Sequence, residues 1–219
     1  MNIEIASTIK KACPQILMAI ISCEVKNAPT SDKLWSEMEM EIEKITSTFN
    51  IDDIKNRPAI AATRKIYKSL GKDPNRYRPS AEALCRRIVR EIPVYKVNTL
   101  VDIINIVSIR SGFSIGAFDA DKIQGDIVLE VGTIEDEFEA IGRGLMNVEN
   151  LPLFRDNMGG IGTPTSDNER TKITDLTSNI LLIVNDYGGS KNLKETVDYI
   201  IKLLKKYARL NDLKINFIS

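Results

Sequence analysis

Proton transfer, metal binding and phosphate contact draw on a short list of side chains, and this chain lacks the most versatile of them. It contains no histidine. Histidine supplies most general bases near neutral pH and most nitrogen ligands of zinc, so Ser-His-Asp and Cys-His catalysis and His-based metal sites are excluded. Cys13, Cys23 and Cys85 are odd in number and have no CxxC spacing, which argues for buried reduced thiols rather than a disulfide framework or a Cys-only zinc site. No cofactor is expected. Between Arg64 and Lys96 stand ten basic residues and three acidic ones, including Arg76, Arg78, Arg86, Arg87 and Arg90. Arginines three and four apart on a helix share a face, and their planar guanidiniums match phosphate oxygens, which makes the stretch a candidate RNA contact. The same residues also suit a solvated helix face, or pairing with Asp119 to Glu139, which holds eight carboxylates and one lysine. The run Asp156 to Pro164 (DNMGGIGTP) is the most loop-like stretch. Its glycines could let backbone amides approach an anion, yet it has neither a GxxxxGK[ST] nor a GxGxxG pattern, and a plain turn explains it equally well.

The chain as a whole sets limits on these candidates. With 30 basic and 30 acidic residues the formal charge is zero, so any attraction to a polyanion must be local. Hydrophobic residues at 43% and charged residues at 27% fit a packed globular chain of 219 residues. No long apolar run and no secretory signal pattern is present, and a cytoplasmic protein without a membrane partner is expected.

Hydrophobic spacing predicts the elements that must position the candidates. Gln15 to Lys26 reads as a largely buried strand closed by Asn27-Ala28-Pro29. Leu34, Trp35, Met38, Ile42 and Ile45 predict an amphipathic helix over Ser31 to Thr48, capped by Ser31. A helix from about Asn56 to Leu70 ends at Gly71, and another opens at Pro79-Ser80 and reaches Glu91. Thr99 to Ser111 is apolar almost all round, predicting an interior helix whose Thr99 and Asp102 resemble a capping box. Asp102 and Asn105 are then buried polar groups, expected to hold the turn near Phe118 and Asp119. Ser114 to Phe118, Asp126 to Val131, Phe138 to Ile141 and Asn179 to Val184 read as strands. A helix from about Ser190 to Arg209 and an edge strand at Lys214 to Ile218 complete one α+β domain over residues 1–219.

The run NTLVDIINIVSIRSGFSIGAFDADKIQGDIVLEVG, Asn98 to Gly132, resembles the B3/B4 domain of the phenylalanyl-tRNA synthetase β chain. Val101, Asp102 and Asn105 match its VDxxN helix. Ala117, Phe118, Asp119, Asp121, Lys122, Ile123 and Gly125 match its AFD/DKI/G hairpin. Met158-Gly159-Gly160-Ile161 resembles its MGG loop, Thr177 to Leu182 its TxNVLL strand, and Tyr77 to Leu84 (YRPSAEAL) points to free-standing relatives. The resemblance spans about residues 57–188 and implies a three-layer α+β domain with a β-sandwich-like core and flanking helices. It also implies a pocket near Gly116, Phe118, Asp119, Met158, Gly159, Gly160, Thr163 and Ile183. In the synthetase that pocket hydrolyses tyrosine misattached to phenylalanine tRNA.

Two departures weaken the chemistry. Gly116 stands where the bacterial synthetases carry a histidine, and Ile183 stands where their strand ends in glutamate. Three classes of function follow: an RNA or tRNA binder, acting in trans with weakened or lost deacylase activity; a binder of an aromatic amino acid or similar metabolite; or a structural or partner-binding domain. DNA is not expected as a partner. For the first class Arg86, Arg87 and Arg90 should lie exposed near the pocket mouth. Any hydrolysis should then be slow and lack a side-chain base, with Asp119 tied into its turn.

Overall fold

A computed structural model describes residues 1–219. In chain order the elements are β1 (Ile3–Ile5), α1 (Ser7–Ala12), β2 (Leu17–Glu24), α2 (Asp32–Thr48), α3 (Pro58–Ser69), α4 (Ser80–Val89), α5 (Thr99–Ser111), β3 (Ile115–Asp119), β4 (Ile127–Val131), β5 (Glu139–Ala140), β6 (Gly144–Leu145), β7 (Pro152–Asp156), β8 (Gly159–Gly162), β9 (Asn179–Asp186), α6 (Leu193–Tyr207) and β10 (Asn211–Ile218). One sheet runs β10-β2-β9-β3, antiparallel throughout. The other runs β1-β4-β7-β8, with β1 and β4 parallel, and β5 and β6 form a short hairpin.

Alternation along β9 explains the layering. Side chains two apart point to the same face. Ile180, Leu182 and Val184 therefore join the cluster that α2, α4, α5 and α6 cover. Leu181 and Ile183 enter a second cluster between the two sheets, with Phe118, Leu129, Leu153, Phe154 and Ile161. Helices, sheet and sheet make a three-layer α+β fold. The interior helix α5 packs against α2, α4 and α6, as its apolar circumference requires. Cys13, Cys23 and Cys85 are buried free thiols, and burial pushes the Cys23 thiol up to about 11.

Three expectations need correction. The cap of α5 is Asn98, which accepts from the Val101 amide, so Thr99 and Asp102 do not form the capping box their spacing resembles. Asp102 does not reach the turn after β3. It accepts from the Thr30 hydroxyl and the Val97 amide, while the side chain of half-buried Asn105 makes no hydrogen bond within the protein. Finally, the glycine-rich run is no open loop. Asp156 to Gly159 is the turn of a hairpin, and Gly160 to Gly162 lie buried in β8.

Candidate functional site

Strands β3 and β8 are the edges of their respective sheets, and the segment after Thr163 joins them. It forms isolated antiparallel bridges from Asp167 to Gly162 and from Lys172 to Phe118. Thr163 makes the bend: its hydroxyl accepts from the Thr165 and Ser166 amides at 3.1 Å each. Helices α3 and α4 brace it, through Tyr67 and Thr165 hydroxyls 2.9 Å apart and a Ser80 amide donating to the Pro164 carbonyl at 2.8 Å.

Across this seam the resemblance-derived residues fall into distinct places. Gly116 lies opposite Ile183 in the β3–β9 ladder, and both are buried. The fully buried ring of Phe118 fills the space that two missing side chains leave. A Cβ on Gly116 would lie 2.8 Å from Phe118 Cζ, and one on Gly162 would lie 2.7 Å from the same atom. Phe118 in turn packs edge-on against Phe154, with ring centres 6.5 Å apart. Gly160 backs onto Phe138 and Leu153, where a Cβ would meet side-chain carbons at 2.9 and 3.1 Å. The seam is packed by the chain's own aromatic rings. Met158 stands outside it, 61% exposed on the β7–β8 turn beside Gly159. Asp119 lies at the far end of β3, where it accepts from the Thr177 hydroxyl at 2.8 Å and the Asp121 amide at 3.2 Å, with the Lys122 ammonium 3.6 Å away.

One ionisable group stands within the seam, and nothing in the sequence singled it out. Asp167 Oδ2 accepts from the Ala117 amide at 3.1 Å. Its Oδ1 lies 2.7 Å from the Cβ position of Gly162 and 3.9 Å from that of Gly116. Part of the residue reaches solvent, but its carboxyl is turned inward between two glycines and a phenyl ring. Burial pushes the carboxyl up to about 7, against the smaller opposing effect of the Ala117 amide. A sequence signal for this would have been the pairing of two glycine-bearing edges, which only the tertiary fold brings together.

The arginines divide. Arg76, Arg78 and Arg90 are exposed, but Arg86 turns inward to donate to the Ile51 carbonyl at 2.9 Å and lies 3.9 Å from Glu82. Arg87 donates to the Pro93 carbonyl at 2.7 Å and lies over the Tyr95 ring. The expectation that Arg86, Arg87 and Arg90 all lie exposed is thus corrected for Arg86 and Arg87, while Arg90 is exposed. Arg86 and Arg87 instead fasten the Ile51 and Pro93 segments to α4. Pairing with the acidic stretch does not occupy them either: the carboxylate beside Arg86 is Glu82, and Glu130 and Asp136 pair with Arg155.

A family model described as "B3/4 domain" matches residues 62–208. No curated protein matches the chain. Among solved structures, the crystal structure of an N-terminal fragment of the phenylalanyl-tRNA synthetase β-subunit from Pyrococcus horikoshii is 17% identical, with a TM-score of 0.48 over 98% of this chain and 50% of that one. The chain spans about half the length of that fragment.

Proposed function

The chain belongs to the B3/4 domain family, and from that footing we propose that it binds RNA, takes the aminoacylated end of a tRNA at the β3–β8 seam, and hydrolyses the ester slowly with Asp167 as the proton acceptor. One observation carries this reading. Where the resembling synthetases place a histidine, Gly116 leaves no side chain, and the Asp167 carboxyl lies 3.9 Å from where one would begin. A general base works best with a pKa near the operating pH, and burial brings Asp167 to about 7. Water would attack the ester carbonyl carbon and pass its proton to the carboxylate. The ribose oxygen would leave with that proton as the carboxyl returns it. The Phe118 ring, wedged between Gly116 and Gly162, must shift to admit an ester, which supports a slow rate.

The sign of the pH dependence follows. Only the ionised carboxylate accepts a proton, so the rate should rise as pH climbs through about 7 and then level off. Single-turnover deacylation of a panel of mischarged tRNAs, including tyrosine on phenylalanine tRNA and alanine acceptors, checks this. Asp167→Asn should lower the plateau about 10²-fold. A rate merely proportional to hydroxide, equal in wild type and variant, would remove Asp167 from catalysis. One feature favours the binder of a free aromatic amino acid instead: the seam already accommodates a phenyl ring, that of Phe118. Saturable heat on adding phenylalanine, with no deacylation of any charged tRNA, would move the assignment there.

A further inference from the structure

Helix α3 carries two stripes. Ala59, Ile60, Thr63, Ile66 and Tyr67 face the interior, while Ala61, Arg64, Lys65 and Lys68 recur at steps of three, one and three and share the outer face. That face forms one wall of a groove of about 470 Å³ whose other walls are Lys55, Asn56 and Asn75. No carboxylate lines it. Lys55, Lys65 and Lys68 are exposed, and none of the three belongs to an ion pair. Ala61 contributes only a methyl group, which leaves the space between the ammonium groups open.

The groove is held rigid from below. Arg64 donates to the Asn75 side chain at 2.7 Å, to the Pro74 carbonyl at 3.1 Å and to Glu82 at 2.8 Å. Glu82 is 1% exposed and also lies 3.9 Å from Arg86, so two guanidiniums share one carboxylate. The triad therefore carries a net positive charge beneath three unpaired lysines. Exposed Arg76 and Arg78 extend the positive surface along the segment that follows Asn75. The lysine face of α6 differs on each count: Asp198 lies in it, and Lys206 is paired with Glu37 at 2.7 Å.

We propose that this α3 groove, and not the arginines of α4, is the surface on which the chain holds the phosphodiester backbone of RNA. The inference rests on the reading of the chain as an RNA binder and assigns the contact within it. Its chemistry is sequence-independent, because ammonium groups on flexible stems neutralise phosphates without reading bases. The same helix reaches Thr165 through Tyr67, so a backbone lying along α3 runs on the element that braces the β3–β8 seam.

Binding of an unacylated tRNA, measured across about 50–200 mM salt, tests it. The proteins are wild type, a Lys55→Ala/Lys65→Ala/Lys68→Ala variant and an Arg87→Ala/Arg90→Ala variant, with melting curves recorded for each. The lysine variant should bind about tenfold or more weakly, and its log–log salt slope should be shallower by about 2–3, since each released phosphate contact contributes about 0.7–0.9. The arginine variant should bind as wild type does. If the lysine variant keeps wild-type affinity and slope while wild type binds, the groove assignment is overturned and the RNA reading stands. Loss in the arginine variant alone returns the contact to α4 and likewise overturns the groove. Failure of wild type to bind at the lowest salt overturns both.

Discussion

Asp156 and Asp167 flank the same glycine strand, β8, and differ in almost everything that decides what a carboxylate can do. Asp156 receives two guanidinium contacts from Arg170, at 2.7 and 3.0 Å, and amides from Gln124 and Met158 at 2.9 Å each. Burial by itself would raise its pKa, but Arg170 and the two amides outweigh it and hold the carboxyl below its ordinary value. Asp167 receives one amide and no cation, and burial prevails. The number of donors, rather than depth alone, separates a carboxylate that ties three segments together from one free to exchange a proton near neutral pH. Asp119, the acid to which the resemblance pointed, falls on the tied side, with Thr177, the Asp121 amide and Lys122 around it.

Removing the well-donated partner should produce the largest effect. Asp156→Ala leaves Arg170 without its counter-charge and two amides without an acceptor, and should cost about 3 kcal/mol in denaturant unfolding. A loss below about 1 kcal/mol would break the comparison, since donor count would then not translate into structural work. A smaller effect is expected at the other end of β8. Gly162→Ala places a Cβ 2.7 Å from both Asp167 Oδ1 and Phe118 Cζ, and overpacking of this kind costs about 1–3 kcal/mol. The same change in a Phe118→Leu background should cost less, because one of the two obstructing atoms is gone. An undiminished cost would show that the ring and the carboxyl do not share the seam as described.

Much of this architecture was legible in the residue order. Helix α5 was bounded correctly by its apolar circumference; β9 was found as an apolar run but continues two residues further, to Asp186, and α6 was found by its period of about 3.6 inside wider expected bounds. Strand β8 was not, because glycine is depleted in strands and reads as loop. Gly160 and Gly162 are there because Phe138, Leu153 and Phe118 occupy the space their side chains would need, a fact of tertiary packing, whereas Gly159 faces open space and carries the positive φ of the turn. Asp167 was hidden for the same reason: its surroundings come from β3 and β8, remote in sequence. Asn105 misled in the opposite direction, since a polar residue on an apolar helix suggested a buried bond that it does not make. The α3 stripe was legible by spacing alone. Arginine density drew the reading to α4 instead, where side chains are spent on the Ile51 and Pro93 carbonyls.

The central claim is that Asp167 is held in a proton-exchanging state by an apolar seam with a single donor. Carbon-detected NMR titration of its carboxyl, assigned by difference against Asp167→Asn, reads this directly and needs neither a ligand nor an activity. An apparent pKa near 7 is expected for Asp167, with Asp156 in the same spectra titrating below the ordinary aspartate value. If Asp167 instead titrated near about 4, as an aspartate in water does, it would be a solvated staple between two sheet edges and the proposed proton acceptor would be lost.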